Sequence, residues 1–166
     1  AIPGYRFHNW YGFGALDVDA AVAMAKTYAA GTTLGELRQK TYGGDLATPL
    51  AIPDNSADGT SSKITVPDNL TIENIGIAVA VDHPNTGELG IELTSPGGTK
   101  SILLNIRSGL KSGLHRLEGG RIVPALLSSN AFYGERSQGE WTIRIVDGVP
   151  EKAGSLKHFA IAILGY

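Results

Sequence analysis

The segment Gly59-Thr60-Ser61-Ser62 is the first place in this sequence where covalent chemistry can be sought. A serine hydroxyl becomes a nucleophile only when a base takes its proton and an acid orients that base. Ser61 is followed by Lys63-Ile64-Thr65-Val66-Pro67, a strand pattern stopped by proline, so the segment reads as a polar turn and no catalytic residue is assigned. The four histidines, His8, His83, His115 and His158, show no metal-ligand spacing such as HxxxH. His83, between Asp82 and Pro84 at a strand end, is expected on the surface or in a hydrogen bond. His158 is expected to cap the exposed face of the last strand.

Oxygen ligands carry a sharper expectation. Asp54, Asn55 and Asp58 crowd into one turn that also offers backbone carbonyls, and calcium takes about 6–8 oxygens. In a jelly roll the N-terminal loop and the end of a late strand lie together, which would bring Asp147, or Asp82, beside Asp54. Asp54, Asp58, Asp82 and Asp147 are therefore the expected metal ligands, with calcium as the expected cofactor. The competing reading makes them turn formers bonded to their own backbone. No linear EF-hand loop is present. Tyr133, Trp10, Tyr42 and Tyr166 can stack on sugar rings, but aromatic residues are 7% of the chain and their spacing suggests core packing rather than a platform.

These residues sit on elements of two periods. Residues 15–30, ALDVDAAVAMAKTYAA, predict a helix, with Asp17 and Asp19 in its first turn and Gly31 as its stop. Leu16, Ala20, Ala23, Met24 and the neighbouring Val22 and Ala25 leave it apolar on most sides, which predicts burial against a sandwich patch or a second copy of the chain. Residues 31–46, with four glycines, read as a linker. From about residue 47 the period is two. Ile75, Ile77, Val79 and Val81 share one face, as do Leu89, Ile91 and Leu93, then Trp141, Ile143 and Ile145, then Phe159, Ile161 and Ile163. Turn chemistry at Pro84-Asn85-Thr86-Gly87, Ser95-Pro96-Gly97-Gly98, Ser137-Gln138-Gly139 and Asp147-Gly148 separates them. Seven or eight such strands suit a β-sandwich. Residues 106–124 show no clear period.

Composition agrees and excludes. Glycine (22) and proline (8) are high, as turn-rich β proteins require. A net charge of −2 without a basic stripe argues against nucleic-acid binding. No apolar run approaches the ~20 residues that span a bilayer, so no membrane insertion is expected. The absence of cysteine removes disulfides and thiolate metal sites. Ala1-Ile2-Pro3-Gly4 has neither the basic nor the apolar region of a secretory signal, so the chain reads as part of a longer protein.

Two segments resemble one family, in order. His8-Asn9-Trp10-Tyr11-Gly12-Phe13-Gly14-Ala15-Leu16-Asp17, followed by the alanine-rich helix, resembles the YGFGxxDAxxAV pattern near the end of kexin- and furin-like catalytic domains. Residues 47–166 resemble the P domain (Homo B domain) of these subtilisin-family proteases. Ile52-Pro53-Asp54-Asn55 resembles its opening. Asp82-His83 with Gly87-Glu88-Leu89 and Leu93-Thr94-Ser95-Pro96-Gly97-Gly98-Thr99 resembles its H…GDL…L.SP.GT core. Ala131-Phe132-Tyr133-Gly134-Glu135, Gly139-Glu140-Trp141-Thr142 and Val146-Asp147…Gly154-Ser155-Leu156 resemble its closing signature. Glu88 replaces the usual aspartate, Phe132-Tyr133 stands where a Trp is common, and Gly148 follows Asp147.

The resemblance implies an all-β fold, a jelly-roll β-sandwich of galactose-binding-like architecture with one N-terminal α-helix. It divides the chain into residues 1–30 from the tail of a catalytic domain, a linker over 31–46, and the P domain over 47–166. It implies a secreted, non-catalytic domain that docks beside a subtilisin-like serine endopeptidase, stabilises it, and influences its calcium and pH dependence. The family's Asp-Thr-Gly and His-Gly-Thr segments are absent, so this chain is expected to hydrolyse nothing. The alternative is a free-standing carbohydrate- or protein-binding jelly-roll module.

Overall fold

The computed structural model describes residues 6–29, 35–108, 114–118 and 121–166. A helix, α1 (Val18–Ala29), precedes nine strands among the described residues. These are β1 (Arg38–Ile52), β2 (Ser56–Val66), β3 (Ile72–Asp82), β4 (Leu89–Thr94), β5 (Lys100–Leu104), β6 (His115–Glu118), β7 (Arg121–Ser129), β8 (Gly139–Asp147) and β9 (Gly154–Gly165). One sheet runs β1-β9-β3-β7-β6 and the other β2-β8-β4-β5. All pairings are antiparallel. The two sheets enclose one core and form a β-sandwich.

The alternation in the sequence decides which face is inside. Ile75, Ile77, Val79 and Val81 of β3 are fully buried, as are Leu89 and Leu93 of β4, Trp141, Ile143 and Ile145 of β8, and Ile161 and Ile163 of β9. β-Branched side chains are stiff and suit a pleated, half-buried surface. Each such burial contributes about 1.5–3 kcal/mol. Trp141 lies edge-on to Phe132 with ring centroids 5.0 Å apart, and its indole Nε1 donates to the Ser137 carbonyl at 2.9 Å. The largest core residue thereby keeps its one polar atom satisfied.

Several sequence expectations are corrected. Residues 38–46, read as linker, are strand β1 in register with β9, from Arg38 opposite Gly165 to Asp45 opposite His158; residues 31–34 lie outside the described residues. The glycines that suggested a connector serve close approach instead. Gly43 has φ +89°, and a Cβ there would stand 2.4 Å from the Phe159 carbonyl oxygen. Likewise Gly59-Thr60-Ser61-Ser62 is no turn but part of β2, paired with β8 around an irregularity between Ser56 and Thr60. Gly59, at φ +61°, would bring a Cβ within 2.1 Å of the Ile145 carbonyl. The Arg144 guanidinium clamps this bulge, its Nε donating to the Asp58 carbonyl at 3.1 Å and its Nη2 to the Ala57 carbonyl.

Helix α1 is shorter than the expected 15–30, and residue 30 lies outside the described residues. Asp17 is its N-cap: Oδ1 accepts from the Ala20 N–H at 2.9 Å. Of the two expected coverings, the sandwich patch is not found. Leu16 (81%), Val18 (61%), Val22 (49%) and Met24 (58%) are all exposed, so the sandwich does not cover this apolar surface.

Candidate functional site

Where β3 ends beside the end of β8, the sandwich buries charge. His83 follows β3, and a short 3-10 turn, Thr86–Glu88, leads into β4. The Asn85 side chain caps this turn by accepting from the Gly87 N–H at 3.3 Å. Leu89 pairs with Asp147, which carries the end of β8 alongside. Alternation then points Asp147 inward, the same face as Trp141, Ile143 and Ile145. Gly154 leaves room above the imidazole: a Cβ there would meet His83 Cδ2 at 2.6 Å.

Five side chains converge, those of His83, Asn85, Glu88, Asp147 and Lys152. His83 Nε2 lies 3.1 Å from Asp147 Oδ2, and both side chains are fully buried. His83 Nδ1 lies 2.9 Å from the Asn85 carbonyl and 3.1 Å from the Asn85 N–H, so its role depends on the tautomer. Asp147 Oδ1 accepts from the Val149 N–H at 3.1 Å. Glu88 Oε1 accepts from Asn85 Nδ2 at 2.7 Å and from Lys152 Nζ at 3.0 Å. The Lys152 ammonium holds the Glu88 carboxyl below its ordinary value, with Asn85 and the field of His83 assisting, against the upward push of burial. Glu88 Oε2 is buried without a hydrogen-bond partner among the described residues. His83, Glu88 and Asp147 form the one group of three potential metal-ligating side chains found among the described residues, one atom of each within 4.8 Å of the others.

The four aspartates expected to bind calcium form no common ligand group among the described residues. Asp147 is in this buried group; Asp54, Asp58 and Asp82 belong to no such group among the described residues. Asp54 does reach the late-strand end, as a jelly roll would have it: its Oδ2 accepts from the Glu151 N–H at 3.0 Å. Asp147, however, points away into the core. Asp82 pairs with Lys157 Nζ at 2.6 Å, and that ammonium lowers its carboxyl pKa. Asp58 is an exposed residue of the β2 bulge. His158 contacts Asp45 at 2.7 Å, and His83, expected near the surface, is fully buried at its side chain. The sequence reading gave Lys152 no role and treated Asn85 only as a turn former; the H…GEL and Val-Asp segments were the available signal.

A second feature is a groove of 860 Å³ between residues 6–13 and the Pro96–Lys100 turn, lined also by Tyr133, Glu135 and Arg136. Phe7 packs against the core and meets Phe13 edge-on at 5.6 Å. Of the four aromatics considered for sugar stacking, Tyr133 alone lines this groove. Trp10 stands in solvent, and Tyr42 is tied to Asp68 at 2.6 Å. Ser61 pairs with Arg144 along β2–β8, and no base among the described residues is hydrogen-bonded to it.

Comparison with known proteins identifies the family. The Proprotein convertase P-domain family model matches residues 72–163, which include every residue of the buried cluster. The Aeromonas extracellular serine protease of Aeromonas sobria is 35% identical over 153 residues, covering 87% of this chain and 24% of that protein. Human Proprotein convertase subtilisin/kexin type 6 is 28% identical, with 98% of this chain and 17% of that protein covered. The crystal structure of the Aeromonas sobria serine protease in complex with its chaperone superposes with a TM-score of 0.76 at 28% identity, covering 94% of this chain and 31% of that one. The chain thus spans about a quarter of its Aeromonas relative's length. With the matched strands forming the sandwich and its buried end, the chain belongs to the proprotein convertase P-domain family.

Proposed function

We propose that this chain is a non-catalytic P domain that stabilises and regulates an attached subtilisin-like serine endopeptidase of a secreted protein. The observation that supports it best is the contrast between the two parts of the N-terminal region. Residues 6–13 are seated on the sandwich through Phe7 and Asn9. Helix α1, immediately after them, turns Leu16, Val18, Val22 and Met24 to solvent. An isolated helix of 12 residues is marginal in water and needs packing to persist. The partner that completes α1 is the catalytic domain, whose terminal helix the segment resembles. Secretion is supported by the extracellular relative, and no helix among the described residues is long and apolar enough to cross a membrane.

Stabilisation follows from linkage. A domain that binds only the folded protease adds RT ln(1 + [L]/Kd), about 2.7 kcal/mol when the effective concentration is ~100 times Kd. A short tether supplies effective concentrations on the order of millimolar, so a modest docking affinity suffices. The experiment compares the thermal inactivation of the parent protease with and without residues 35–166. Faster inactivation of the truncated enzyme is expected. Equal half-lives, or peptidase activity in the isolated chain, would overturn the reading.

A further inference from the structure

Each residue of the buried cluster is held by one atom that bonds outside the group of three: His83 Nδ1 to the Asn85 carbonyl, Glu88 Oε1 to Asn85 Nδ2 and Lys152 Nζ, and Asp147 Oδ1 to the Val149 N–H. Within the group, His83 Nε2 and Asp147 Oδ2 are 3.1 Å apart. Glu88 Oε2 is buried and has no hydrogen-bond partner among the described residues, although Glu88 is only 7% exposed. Around a neutral imidazole the two carboxylates and the one ammonium leave a net negative charge. A buried carboxylate oxygen with neither donor nor cation is costly.

We propose that His83 Nε2, Glu88 Oε2 and Asp147 Oδ2 bind a divalent transition-metal ion of the zinc class. One imidazole nitrogen with two carboxylates is a donor set for such an ion, with a fourth position left open. Ligands on one zinc stand about 2.9–3.4 Å apart, the edge of an octahedron or tetrahedron built on bonds near 2.1 Å. The His83–Asp147 spacing of 3.1 Å falls in that range, and Glu88, within the 4.8 Å bound of the whole group, would close in on the ion. The outer contacts are those a metal site requires. A ring N–H given to a backbone carbonyl fixes the tautomer and frees the other nitrogen, and hydrogen-bonded carboxylates keep their orientation. Calcium is disfavoured here, because it takes about 6–8 oxygens and nitrogen is a poor substitute. The ion would tie the end of β3, the 3-10 turn and the end of β8 together. The competing arrangement protonates Nε2, takes the Asn85 N–H onto Nδ1, and makes a plain hydrogen bond to Asp147.

The test titrates the metal-free chain with zinc chloride and calcium chloride by calorimetry, with cobalt(II) absorbance as a report on ligation. Expected are one zinc per chain, no matching calcium heat, and an affinity reduced by more than about 100-fold in Glu88→Gln, because loss of a direct ligand costs more than the ~10–100-fold loss of an outer supporting group. Lys152→Met keeps all three ligands and removes a competing cation, so it should bind zinc at least as tightly as the wild type. If Glu88→Gln does not fold, imidazole nitrogen NMR on the wild-type chain decides, because zinc must shift His83 Nε2 and leave the ring proton on Nδ1. No zinc heat, zinc binding unchanged in Glu88→Gln, or a His83 Nε2–H that persists at saturating zinc would each overturn the proposal.

Discussion

Asn9 meets Ile102 as a neighbouring strand would: its Oδ1 accepts from the Ile102 N–H at 2.9 Å while its Nδ2 donates to the Lys100 carbonyl at 3.1 Å. One side-chain amide thus fills an edge position on β5 and fastens residues 6–13 to the sandwich. Asn9→Ala removes both bonds and is expected to weaken this attachment by about 1–2 kcal/mol, an ordinary net value for two partly solvated hydrogen bonds. Asn9→Asp is expected to be worse, because it sets an oxygen against the Lys100 carbonyl. Amide exchange at Ile102 and proteolysis within residues 6–29 both report it. Unchanged exchange in Asn9→Asp would show that the amide does not hold the segment.

Glu88 and Lys152 give the domain an acid-side dependence. The Glu88 pKa is depressed in the folded state below the ordinary value of 4.5. Its contribution to stability is therefore complete above about 4.5 and is lost as pH falls through the lower folded value. Lys152→Met removes the main cause of the depression and leaves a carboxylate buried beside Asp147. The variant is expected to melt lower than the wild type at neutral pH, with the gap closing as pH falls through the lowered folded value and the carboxyl protonates in both. A gap that stays constant with pH would mean that Lys152 acts through packing alone.

Tyr42 and Asp68 form the alkaline counterpart. Burial first, then the hydrogen bond and charge of Asp68, push the Tyr42 hydroxyl from 10.0 up to about 12. A raised folded value means that the contribution is intact below pH 10 and is lost as pH rises through about 12. Ultraviolet titration should show one tyrosine of the chain's 6 ionising last. Asp68→Asn should move that step downward. If the step does not move, burial alone sets it.

Trp141 anchors the sheet carrying β8. Its full burial, its edge contact with Phe132 and its Nε1 bond to the Ser137 carbonyl make Trp141→Ala a cavity with an unpaired acceptor. The expected cost is about 3–5 kcal/mol, a large share of a domain's ~5–15 kcal/mol. Trp141→Phe should recover most of the packing but not the Ser137 bond, and urea unfolding of both separates the two contributions.

The core was legible because period-two alternation is a local property: Ile75 to Val81 and Trp141 to Ile145 announce their inner faces without reference to partners. The bulged strands were not. Gly43, Gly44 and Gly59 look like loop residues in sequence, whereas in β1 and β2 the first and third take positive φ where a neighbouring backbone comes too close for any Cβ. The buried cluster was hidden for another reason. His83 and Asp147 are 64 residues apart and follow or end strands of different sheets, so only the packed sandwich, with Leu89 paired to Asp147, reveals their contact. Their segments were recognised as family signatures, but nothing local distinguished a turn-forming aspartate such as Asp54 from one that alternation drives into the core.

The start of β1 also sets where the chain can be cut. Deleting residues 1–35 removes α1 and the Asn9 attachment but leaves β1 whole. The shortened sandwich should melt cooperatively, within a few degrees of the full chain. Deleting residues 1–46 removes the part of β1 paired with β9 from Arg38 through Asp45, together with Tyr42 and Lys40, both partners of Asp68. It strips an edge strand from the larger sheet, uncovering the β9 edge near Phe159, and should lower the melting temperature far more. Self-association divides the same way. In the isolated chain the apolar surface of Leu16, Val18, Val22 and Met24 is expected to pair with a second copy, so sedimentation of the full chain should depend on concentration and that of residues 36–166 should not. A monomeric full chain would leave the catalytic domain as the partner for α1. If the 1–35 deletion unfolded the sandwich, the N-terminal segment would be part of its core rather than a fastening on its surface.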